Sequence, residues 1–170
     1  MADHVITNIR LAIRYGLGTI VANTDIGDGY LYRRTITHIA KPIEDPEQFP
    51  SLDAAIIMMG DDHSSNYERD HTQNGAAKGI LENYLDVTIV NFMHDVNDIE
   101  LAQENKLSDL QKYFSSYYWL PSSSGIRTAF NCIYSGSRPF GYSATRPNCG
   151  LEFRMRVWYR QKFEDPTTLA

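Results

Sequence analysis

The hydrophobic positions of this 170-residue chain change rhythm along its length, and each change marks an element. From residue 5 to residue 22, Ile6, Ile9, Ile13, Leu17 and Ile20 recur at spacings of three and four. That spacing lays one apolar stripe along a helix. Asp3 precedes it as a candidate N-cap, and Gly16 and Gly18 weaken its second half. The turn-rich NTDIGDGY follows, then LYRRTITHIAKP, whose Tyr, Thr and Ile content predicts a strand ending at Pro42. IEDPEQFPS reads as a loop, and SLDAAIIMMGDD as an interior strand halted at Gly60.

Residues 61 to 82 lose all periodicity, and the pattern predicts a long polar loop there. YLDVTIVNFMHD then reads as a strand with apolar residues on both faces. A second helix is expected over 98 to 119, capped by Asp98, with Leu107, Leu110, Phe114 and Tyr117 on its buried stripe. IRTAFNCIYSG predicts a further strand and SRPFGYSATRPNCG a turn-rich connection. In the last strand Leu151, Phe153, Met155, Val157 and Tyr159 alternate with Glu152, Arg154, Arg156, Trp158 and Arg160. Strict alternation means one face on the core and one outside. The order α-β-β-β-α-β-β, with few crossovers, predicts a single α+β domain spanning 1–170. Its sheet is expected to be antiparallel or mixed, with two main helices packed on one face.

Composition changes this picture little. Eleven tyrosines against seven phenylalanines and two tryptophans suit half-buried surfaces and subunit contacts. A net charge of -5 argues against a general nucleic-acid binder, which needs a basic surface. No apolar run approaches the ~18 residues that span a bilayer, and the first residues lack the pattern of a signal peptide. Cys132 and Cys149 make neither a disulfide framework nor a zinc site, and read as two buried thiols.

Two constellations could carry function. The first is GDDHSSNYERDH, with Asp61, Asp62, His63, Tyr67, Glu68, Arg69, Asp70 and His71. His63 and His71 lie eight apart rather than four, and the oxygens lack the alternation of a calcium loop. The pattern is that of a polar loop, with no metal or catalytic site expected; a small metal-dependent enzyme using His63, Asp70 and His71 is the alternative. The second is the row Arg154, Arg156, Trp158 and Arg160, which could meet a neighbouring subunit, grip a single strand, or face solvent. No phosphate-binding loop, dinucleotide fingerprint or nucleophile elbow occurs.

The succession of elements has specific junctions: Phe49-Pro50-Ser51-Leu52 opening AAIIMMGDD, then LDVTIVNF, a helix ending in aromatics, and GLEFRMRVWYRQKFEDP. In these the chain resembles the tail terminators of tailed bacteriophages, also called tail completion or tail-to-head joining proteins, the minor tail protein U family. The resemblance implies a virion structural protein of the tail and neck, made in the host cytoplasm, with no catalytic residue and no cofactor. It implies a homo-hexameric ring on the head-proximal end of the tail that stops tube polymerisation and joins tail to head. Its partners would be the tail tube protein and the neck proteins. Genomic DNA would pass through without specific binding, and no membrane would be involved. The loop 61 to 82, with Asp61, Asp62, His63, Tyr67, Glu68, Arg69, Asp70 and His71, would contact the tube or the neighbouring subunit of the ring, and Arg154, Arg156, Trp158 and Arg160 the adjacent subunit. Another head-tail connector ring, a head-closure or adaptor subunit, is the nearest alternative.

Overall fold

The structure, a computed structural model, describes residues 13, 17, 30–32, 37–39, 53–67, 80–116, 129, 131–141 and 149–162. Among the described residues, five strands and one full helix follow in the order β1 (Thr37–Ile39), β2 (Ala54–Tyr67), β3 (Ile80–Met93), α1 (Ile99–Ser116), β4 (Asn131–Gly141) and β5 (Cys149–Lys162). They form one sheet in the order β1-β2-β3-β5-β4. The four long strands run antiparallel, and short β1 pairs in parallel with the start of β2. The class is α+β.

On β5 the inner face of the sheet is the alternation read from the sequence, and β3 alternates in the same way where apolar residues on both faces were expected. Leu85, Val87, Ile89 and Met93 of β3 and Leu151, Phe153, Met155, Val157 and Tyr159 of β5 fill one core. Leu110 and Phe114 of α1 pack onto it, with the Phe114 ring stacked on Phe153 at 5.6 Å. Ile13 and Leu17 are helical and wholly buried in the same core; the rest of the helix expected over 5–22, with its Asp3 cap, lies outside the described residues. Helix α1 begins as expected: the Asp98 carboxylate accepts the Leu101 N–H at 3.0 Å, and the Asp98 carbonyl accepts that of Ala102. Its expected end at 119 lies outside the described residues, as does Tyr117.

Four expectations change. The loop expected over 61–82 is trimmed at both ends, because β2 continues through Tyr67 and β3 starts at Ile80. Asp62, His63, Ser64, Asn66 and Tyr67 pair with Leu85, Tyr84, Asn83, Glu82 and Leu81 across two bulges. The ladder satisfies the backbone whatever the side chains are, so pairing overrides a polar composition. The strand expected at 31–42 is β1 alone among the described residues, and Leu31 and Tyr32 form a bend. β4 covers SRPFG, which reads as turn by composition; Pro139 fits because β4 is the edge of the sheet. The buried face of α1 includes two charged residues, Lys106 at 0% exposure and Asp109 at 1%, while Leu107 is only partly buried.

Those two residues have a purpose in the packing. The Asp109 carboxylate accepts the N–H groups of Leu31 and Tyr32, both at 2.8 Å. The Lys106 ammonium lies 5.9 Å from the Tyr32 ring centre. At the start of β2, buried Asp53 accepts the Tyr32 hydroxyl at 2.9 Å and the His94 N–H at 2.7 Å. Two carboxylates from distant elements thus pin one short bend to the sheet and the helix.

Candidate functional site

The face of the sheet turned away from α1 carries the residues singled out in β5, and the register decides their neighbours. Tyr84 of β3 stands opposite both His63 of β2 and Trp158 of β5, while Asp86 stands opposite Arg156, Glu82 opposite Arg160, and Thr88 opposite Arg154. Directly opposed side chains in an antiparallel pair are close enough to interact.

Tyr84 is the centre. The His63 ring stacks on it at 4.7 Å with 23° between planes, and the Trp158 ring tilts against it at 5.0 Å. The Arg156 guanidinium lies 5.0 Å from its centroid. Asp86 meets two neighbours with separate oxygens: Oδ1 accepts Arg156 Nε at 3.2 Å and Oδ2 lies 3.3 Å from His63 Nε2. Arg160 pairs with Glu82 at 2.5 Å, and Arg154 with Glu152 of its own strand at 2.7 Å. The charged groups are all partly exposed, so each ion pair contributes only ~0.2–1 kcal/mol. Their larger effect is positional, because they tie Arg156 and Arg160 to β3 and Arg154 to a neighbour on its own strand.

Each of the three arginines already has a carboxylate from the same chain, so the row carries no excess positive charge for a phosphate backbone.

The other expected site residues are placed as follows. Asp61 is exposed, and Asp62 accepts the Tyr159 hydroxyl at 3.2 Å. Tyr67 ends β2, and Glu68, Arg69, Asp70 and His71 lie outside the described residues. His63 therefore belongs to the ring cluster on a strand rather than to a loop. Among the described residues no group of three or more His, Cys, Asp or Glu could hold a metal ion, and no helix is long and apolar enough to cross a membrane. Cys132 and Cys149 are both buried, and burial pushes the Cys132 thiol up to about 12.

Glu82, Tyr84 and Asp86 were missed from sequence because YLDVTIVNF reads as apolar on both faces. The signal was there: Glu82, Tyr84, Asp86 and Thr88 alternate with Asn83, Leu85, Val87 and Ile89.

A second feature of the same face lies at its other end. Ala54, Ile56 and Phe92 form a small buried apolar cluster, flanked by Val90 and Phe140. Phe140 meets Phe92 edge to face at 6.0 Å above Gly150, which pairs with both. A β-carbon on Gly150 would fall 2.0 Å from the Phe140 ring, so glycine is what admits the ring. Gln103 of α1 donates to the carbonyls of Phe140 and Gly150 at 3.0 and 2.8 Å, locking this strand end to the helix.

No protein-family model matches the chain, and a search of curated proteins found no match. Among solved structures it is similar to the sheath/tube terminator of an extracellular contractile injection system in the extended state. The identity is 11% and the TM-score 0.43, over 94% of this chain and 60% of that one. The chain thus spans about 60% of that protein's length. A likeness of this degree does not define a family, and membership of the minor tail protein U family is not shown.

Proposed function

We propose that this chain is a structural subunit of a tail: a tail terminator that forms a hexameric ring at the head-proximal end of a phage tail, stops polymerisation of the tube and joins tail to head. The observation that carries the reading is the outer sheet face. Its rings are gathered on Tyr84 and its arginines are paired with Glu82, Asp86 and Glu152. Such a face suits a repeated contact with another folded protein. It provides no concentrated charge for a polyanion, which also suits the lining of a conduit through which DNA must pass unhindered.

In this reading the protein has no chemistry of its own and no cofactor. Its partners are further copies of itself, the tail tube protein and the neck proteins, and it resides in the assembled particle. A related ring of the head-tail junction, head closure or adaptor, would use the same face.

The test is negative-stain microscopy and mass measurement of the purified protein, alone and mixed with tail tubes. A six-fold ring, free or capping tube ends, is expected, with a mass of about 116 kDa for six chains of 19.4 kDa. A monomer that ignores tube ends at high concentration would overturn the reading. Arg156→Glu places a carboxylate beside Asp86 and breaks the ordered face; it is expected to abolish capping while leaving the monomer folded. Unimpaired capping by that variant would remove the face from the contact.

A further inference from the structure

We draw no further inference here: the strongest candidate, the exposed apolar patch that Ile133 and Tyr134 form on the β4 edge of the sheet, carries nothing because nothing in the structure shows what covers it.

Discussion

Asparagine at position 109 should cost this protein a large part of its stability, although it differs from aspartate by one atom's chemistry. Asp109 is 1% exposed, and its two carboxylate oxygens accept the N–H groups of Leu31 and Tyr32 at 2.8 Å. A hydrogen bond to a charged acceptor contributes about 1.5–3 kcal/mol, and a buried donor left without one costs ~1–3 kcal/mol. Asparagine keeps one acceptor, but its NH₂ group must face the other N–H. One bond is lost outright and the second loses its charge. The expected loss is ~2–4 kcal/mol for Asp109→Asn, the upper end applying if the donor left over is the buried Tyr32 N–H. In a chain of this size that lowers Tm by roughly 5–15 °C. Urea denaturation followed by circular dichroism would read it as a lower midpoint at unchanged slope. Glu104→Gln, on the exposed side of the same helix, should stay within ~0.5 kcal/mol. A matching result at position 109 would refute the claim that a buried carboxylate pins the 30–32 bend.

Gly150→Val should cost ~1–3 kcal/mol by forcing the Phe140 ring off Phe92, and Phe140→Ala in the same chain should recover part of that loss, a non-additivity visible in a double-mutant cycle of urea midpoints. Cys132 gives a pH prediction. Its folded value is raised to about 12 from an ordinary value near 9, so above pH 9 the unfolded chain sheds a proton that the folded chain keeps. Stability is unaffected by this group below pH 9 and falls as pH rises from 9 towards 12, with a slope approaching ~1.4 kcal/mol per unit. Cys132→Ala should lack that component; an identical alkaline decline in both chains would refute it.

The sequence by itself determined the class of the fold and the inner face of its sheet. The period-two run from Leu151 to Tyr159 can bury one side only, and the core holds those five residues. Asp98 announced the start of α1 because a carboxylate ahead of an apolar stripe has a backbone N–H to accept. These features are local: spacing and side-chain chemistry within a few residues decide them.

Tertiary structure decided the rest, because it depends on partners distant in the chain. Whether residues 61–67 form loop or strand turned on pairing with β3, which satisfies the backbone regardless of side-chain polarity. That Arg156 meets Asp86, and that His63 and Trp158 meet on Tyr84, follows from a register linking residues up to 95 apart in sequence, which no local pattern encodes. The two charged residues on the buried side of α1 have no place in its apolar stripe, and it is the 30–32 bend that supplies the N–H groups Asp109 accepts. A polar side chain carries no mark of whether its partner is water or another part of the chain; only the folded arrangement chooses.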